Sequence, residues 1–204
     1  WVDDARLVVL NALAAQDQGA SIYTRTECIS AEKQDKLWKV TLKDALGKTF
    51  TINAKAVVNA AGPWAVSFLD RLADTKNPNA MRMVKGSHFI VPKLYDTEEA
   101  YILQNKDGRI VFVIPYEDDF SLVGTTDENY VGEPSQAAIS EAETEYLIEV
   151  VNTYFKTKID ESDIVHSYSG VRPLLEEKNA SAPLWHTILS SINNTPLYSI
   201  AQII

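Results

Sequence analysis

A single cysteine, Cys28, is all that the 204 residues hold. No disulfide can form within the chain, and a structural zinc site of the cysteine type is excluded. A lone thiol of this kind reads as a small buried hydrophobe, and a reducing cytoplasm agrees with it. Apolar runs are short: none nears the ~18 residues of a membrane-spanning helix. Basic residues are the minority, 19 Lys and Arg against 28 Asp and Glu, a formal charge of −9. The basic footprint of a nucleic-acid partner is therefore missing. Histidine, aspartate and glutamate nowhere take metal-ligand spacing. There is no Gly-x-Ser-x-Gly elbow and no internal repeat. Initiator methionine and signal peptide are both lacking. The close, residues 198–204, is apolar without a polar tail. It reads as a strand cut from a larger protein, so the chain is expected to be a piece of one.

What is present is ordinary for a globular protein: 46% hydrophobic and 23% charged residues, enough chain for a core without staples. Asp3 can cap a helix with an apolar stripe of Ala5, Val8, Val9, Ala12 and Leu13, stopped by Gly19. Residues 20–24 read as a short strand. Residues 27–32, 37–43 and 49–54 alternate in polarity and read as a meander with a turn at Asp44-Ala45-Leu46-Gly47. Ala56-Val57-Val58-Asn59-Ala60-Ala61 is apolar without alternation, as in a parallel strand buried on both faces. It runs through Gly62 and Pro63 into a helix over 64–72, and such strand-to-helix ends suit anions or polar cofactor edges.

The character changes near Asn77. Residues 83–91, 101–105, 109–114 and 120–125 read as antiparallel strands. Ser140-Glu141-Ala142-Glu143 is a capping box. The helix after it is expected to bury Tyr146, Leu147, Val150, Val151, Tyr154 and Phe155, with Lys156 and Lys158 at its C-terminal end. Residues 131–165 carry eight acids and two lysines, which reads as a solvated helical face. Residues 164–168 form another strand, leading into Ser169-Gly170-Val171-Arg172-Pro173-Leu174.

Few residues offer chemistry. Alternation puts Gly86, His88 and Ile90 on one face of their strand and Lys85, Ser87 and Phe89 on the other. His88 can exchange a proton near neutral pH; taken alone, a structural histidine is the plainer reading. His166 and His186 are weaker candidates. Arg172, between Gly170 and Pro173, is placed to grip a carboxylate or phosphate with both arms of its fork. Taken alone, a structural ion pair is the plainer reading of Arg172 too.

Resemblance shifts these readings. The strings Asn59-Ala60-Ala61-Gly62-Pro63-Trp64, Lys85-Gly86-Ser87-His88, Tyr101-Ile102-Leu103-Gln104-Asn105, Arg109-Ile110-Val111-Phe112-Val113-Ile114-Pro115, Gly124-Thr125-Thr126-Asp127 and Ser169-Gly170-Val171-Arg172-Pro173-Leu174 stand here in one order. Together they resemble the bacterial FAD-dependent respiratory glycerol-3-phosphate dehydrogenases, over residues 1–178. The resemblance implies an α/β and α+β architecture. Part of an FAD-binding Rossmann-like domain, 1–76 with a truncated return at 168–204, would hold an inserted mixed or antiparallel-sheet substrate domain, 77–167. This is the glutathione-reductase-like, D-amino-acid-oxidase type.

The implied activity is flavin-dependent oxidation of sn-glycerol 3-phosphate to dihydroxyacetone phosphate, with electrons passed to quinone. An oxidase using oxygen, or another flavoprotein of the same type, is the alternative. The resemblance makes His88 the base and, with Arg172, the substrate-binding pair. It sets Ile29, Ala61, Gly62 and Trp64 beside FAD, with no metal. It implies a cytoplasmic enzyme peripheral to the inner membrane, and it admits a homo-oligomer. Three family features are missing, one of them a Gly-Gly-Lys-Leu-Thr-Thr string, in whose place the sequence reads Ala201-Gln202-Ile203-Ile204. No Gly-x-Gly-x-x-Gly for the FAD pyrophosphate occurs in the chain. Where a Thr-Arg-Asp-Tyr string belongs, the sequence reads Ala182-Pro183-Leu184-Trp185-His186-Thr187. The chain by itself is therefore expected to be inactive.

Overall fold

The computed structural model describes residues 2–71, 81–175 and 197–199. Two compact units emerge, Trp1–Pro78 with Asn179–Ile200, and Asn79–Lys178 with Ala201–Ile204. No helix among the described residues is long and apolar enough to cross a membrane.

The first unit opens on α1 (Asp4–Asp17), whose Asp3 cap accepts from the Arg6 N–H. Gly19, at φ +93°, ends it as glycine can and other residues rarely do. None of its described residues is buried; Val8 is 67% exposed. Residues 20–24 form no strand. A strand needs a ladder partner, and no described strand pairs with them; Tyr23 instead sets its ring against Phe50. The meander is as expected: β1 (Glu27–Gln34), β2 (Leu37–Lys43) and β3 (Thr49–Ala54) pair antiparallel in that order. Asp44 accepts from the Leu46 and Lys48 N–H groups and closes the turn. A bulge interrupts β1, since Cys28 faces Leu42 and Ser30 faces Thr41, which leaves Ile29 as the extra residue.

β4 (Val57–Asn59) pairs parallel with β11 (Leu197–Ser199). The parallel pairing agrees with the sequence; burial on both faces does not. Asn59 is buried but Val58 is 57% exposed, because β11 is its single strand neighbour among the described residues. Beyond β4 a 3₁₀ turn, Gly62–Trp64, leads into α2 (Ala65–Arg71). Phe68 and Leu69 of α2 close a small core with Ala31, Trp38, Val40 and Leu42.

The second unit is a six-stranded sheet backed by one helix. Its strands are β5 (Met81–Pro92), β6 (Tyr101–Gln104), β7 (Ile110–Tyr116), β8 (Phe120–Gly124), β9 (Glu128–Asn129) and β10 (His166–Leu175). They run in the order β10-β5-β8-β7-β6, with β9 also on β5. Every pairing is antiparallel. β10 continues through the Ser169–Leu174 string in register with β5, so residues 168–175 stay in this sheet. The sequence reading returns them to the first domain.

Alternate residues of the sheet point to α3 (Glu141–Tyr154) and bury Phe89, Val91, Leu103, Val111, Val113 and Val123 against Leu147, Val150 and Val151. Eleven buried residues make this core, which at about 1.5–3 kcal/mol for each large apolar side chain is the main stabilising term of the unit. Tyr154 differs from expectation. It is 48% exposed, because its hydroxyl reaches the β6 edge and donates to the Gln104 carbonyl. At the C-terminal end of α3, Lys158 donates to the Asn152 and Phe155 carbonyls, where a cation is favoured.

Candidate functional site

The face of the second unit's sheet turned away from α3 gathers the chemistry. Residues paired across an antiparallel ladder share a face. His88 pairs with Tyr168 on one side and Gly124 on the other. Gly86 pairs with Gly170, and Arg172 with Val84. Alternation therefore puts His88, Tyr168 and Arg172 on one surface, as the sequence expects for His88 and Gly86. The core face carries Lys85, Ser87 and Phe89.

Two glycines make the room. A Cβ on Gly124 would stand 2.2 Å from Cδ2 of His88, so the imidazole occupies the space of a side chain there. A Cβ on Gly86 would stand 2.4 Å from the Thr125 hydroxyl oxygen and 3.1 Å from a terminal nitrogen of Arg172. Neither glycine has positive φ; each is needed for close approach, not for its backbone. On its other side His88 stacks against Tyr168, with ring centroids 5.0 Å apart and planes 10° off parallel. Arg172 is exposed and donates a long hydrogen bond of 3.5 Å to the Thr126 carbonyl. Among the described residues no carboxylate pairs with it.

Behind this face lies a buried polar cluster that the sequence reading does not anticipate. Glu143, only 2% exposed, accepts from Ser87 at 2.8 Å and Thr126 at 2.6 Å with one oxygen. Its other oxygen takes the Lys85 ammonium at 2.7 Å and the Ser140 N–H at 2.7 Å. Burial alone would raise its pKa; hydrogen bonds from Lys85, Thr126, Ser140 and Ser87 outweigh that and hold the carboxyl at about 2. Glu143 thus ties the start of α3 to the strand residues on either side of Gly86 and to the segment after Gly124. The capping box signalled Glu143 as a cap and nothing more. Tyr168 was legible only as a strand residue, although period two from Arg172 puts it on the same face.

In the first unit, Asn59 is buried and spans the β4–α2 turn. Its amide donates to the Ala65 carbonyl at 2.9 Å, and its oxygen accepts from the Ala61 N–H at 3.2 Å. Gly62 has φ +53° and nothing within 4 Å of where a Cβ would stand. Ala61 and Trp64 are exposed beside it. This braced, open turn lets a planar or extended cofactor approach backbone closely. The half-buried Ile29 stands at the β1 bulge, a feature that re-aims side chains at sheet edges. His166 is exposed on β10 opposite Ile90. His186 and the 182–187 string lie outside the described residues, as do residues 200–204. No cluster of His, Cys, Asp and Glu among the described residues could hold a metal.

Comparison with known proteins gives a consistent set. The family model described as FAD dependent oxidoreductase (DAO) matches residues 1–191. Glycerol-3-phosphate dehydrogenase of Pseudomonas aeruginosa is 52% identical over 178 residues, 87% of this chain and 35% of that protein. D-erythritol 1-phosphate dehydrogenase of Brucella abortus is 46% identical over 178 residues, 87% of this chain and 36% of that protein. A solved structure of glycerol-3-phosphate dehydrogenase from Bacillus halodurans, complexed with FAD, matches with a TM-score of 0.80 at 28% identity. That match covers 98% of this chain and 39% of the other. The chain thus spans 35–36% of the length of these two curated relatives.

Proposed function

The chain belongs to the FAD dependent oxidoreductase family, and we propose that it serves the oxidation of sn-glycerol 3-phosphate to dihydroxyacetone phosphate. The observation that carries this reading is the shared sheet face of His88 and Arg172, with Arg172 bound to no described carboxylate. The 52% identity to a glycerol-3-phosphate dehydrogenase supports it.

Arg172 grips the phosphate, because a planar fork matches its oxygens and no described carboxylate competes for it. His88 accepts the proton of the C2 hydroxyl as the general base of the step. The flavin, when bound, supplies the acceptor for the hydrogen that leaves C2 with its electron pair. Ile29, Ala61, Gly62 and Trp64 hold cofactor edges; the open turn at Gly62, braced by Asn59, fits that task. Quinone is the onward electron acceptor in this reading, and the enzyme works at the cytoplasmic side of the inner membrane. Domain roles follow: cofactor binding for the first unit, substrate binding for the second.

The test is steady-state kinetics on the FAD-loaded protein that carries this chain. His88→Ala should lower kcat by about 10²–10⁴, the usual worth of a general base. Arg172→Ala should raise KM for glycerol 3-phosphate and leave the weak oxidation of glycerol nearly unchanged. Near-full turnover of His88→Ala overturns the reading. D-erythritol 1-phosphate belongs in the same assay, because a relative at 46% identity bears that name. Preference for it would keep the roles and change the substrate.

A further inference from the structure

We propose that Tyr168 and Gly124 form a slot that fixes the plane of the His88 imidazole, which makes Tyr168 a positioning residue for proton transfer. The inference rests on the reading of His88 as the base. The torsion that turns an imidazole ring is broad and poorly fixed by the side chain's own preferences. A base on a strand therefore needs neighbours to hold its ring, and here the two flanking strands provide them. On β8 the absent Cβ of Gly124 opens the space the ring enters: a Cβ there would meet Cδ2, Cγ and Nε2 of His88 at 2.2, 2.6 and 2.9 Å. On β10 the Tyr168 ring lies nearly parallel to the imidazole, 5.0 Å from it. Register places both directly opposite His88.

Tyr168 is 45% exposed, so the stack is not a by-product of core packing. The core of this unit lies on the other face of the sheet. The half-exposed Tyr168 ring, stacked parallel to the imidazole, restricts its rotation. Tilting the ring moves the accepting nitrogen away from a hydroxyl held at a fixed distance from Arg172, and misplacement of that size reduces turnover without weakening phosphate capture.

Kinetics and NMR test this together. On the FAD-loaded protein, Tyr168→Leu should lower kcat for glycerol 3-phosphate about tenfold, with KM unchanged. Tyr168→Phe, which keeps the ring, should recover the larger part of that loss. Gly124→Ala should cost about 10²-fold in kcat; if it fails to fold, the Tyr168 pair still decides. In a His88→Ala background Tyr168→Leu should add nothing. An equal loss in that background marks a general structural role and overturns the slot. In the same FAD-loaded protein, the His88 ring protons, assigned by their loss in His88→Ala, should show an upfield ring-current shift. That shift should disappear in Tyr168→Leu and persist in Tyr168→Phe; His88 signals indifferent to Tyr168 also overturn the proposal. The two readings fail separately. Full turnover of His88→Ala removes the base itself, whereas a dead His88→Ala beside an unaffected Tyr168→Leu removes only the slot.

Discussion

The two units obey the same hydrophobic patterning and end differently. In the second, the apolar stripe of α3 meets the apolar face of a sheet, and Leu147 and Val151 reach zero exposure. In the first, α1 carries an apolar stripe too, yet Val8, Val9 and Leu13 stay half exposed or more. Periodicity specifies which face of an element is apolar; only a partner layer converts that face into a core. The second unit holds that layer within its own residues, so His88 and Arg172 stand on a sheet anchored from behind. The exposed turn at Ala61 and Gly62 depends on one buried asparagine.

The largest effect that sharpens this contrast should come from Glu143→Ala. It leaves Lys85 buried without its carboxylate and Ser87 and Thr126 without their acceptor. A buried pair broken from one side costs about 3–5 kcal/mol. Hydrogen exchange should show α3 and β5 losing protection while β1, β2 and β3 keep theirs. Equal loss in both units would mean that they do not behave as separate bodies.

Acid should have a smaller effect of the same kind. The Glu143 carboxyl is held at about 2 in the folded chain against an ordinary 4.5. A depressed carboxylate stabilises the fold above its unfolded value, and that contribution fades as pH falls from about 4.5 to about 2. Protection of α3 should decline through this window, and Glu143→Gln should flatten the decline. Smallest of all should be Leu13→Ala on α1. A 50% exposed leucine on an uncovered helix should change stability by no more than about 0.5 kcal/mol. A loss of 2 kcal/mol or more in a urea titration would show that the stripe of α1 is covered after all.

The comparison also marks what was legible in the chain. Alternation separated Gly86 and His88 from Lys85 and Ser87, and the sheet keeps that division. The Ser140–Glu143 capping box forms in full. Strand partners were not legible, because register depends on residues far apart in sequence. Without knowing that His88 faces Tyr168 and Gly124, neither flanking residue can be connected to it. The β10 strand ran longer than its apolar stretch suggested, since Gly170 and Pro173 look like stops locally. Pairing to β5 overrode that local preference. Glu143 carried a helix-cap signature, and its second task appears only when Thr126 and Ser87 arrive from other strands.

The ladder between β5 and β10 also bears on the order in which this molecule is made. Ser87 and Ser169, bonded through their hydroxyls, are 82 residues apart. At roughly 5–20 residues per second on the ribosome, β10 emerges about 4–16 s after the strand it completes. β8 and β9 can cover one side of β5 within that time; the other side presents bare N–H and C=O groups to any passing strand. A nascent chain with such an edge is a natural client for a chaperone, and high expression should drive it toward aggregates before β10 arrives. Arg172 and Tyr168 ride on that late strand, so His88 stands on an incomplete sheet until β10 has emerged.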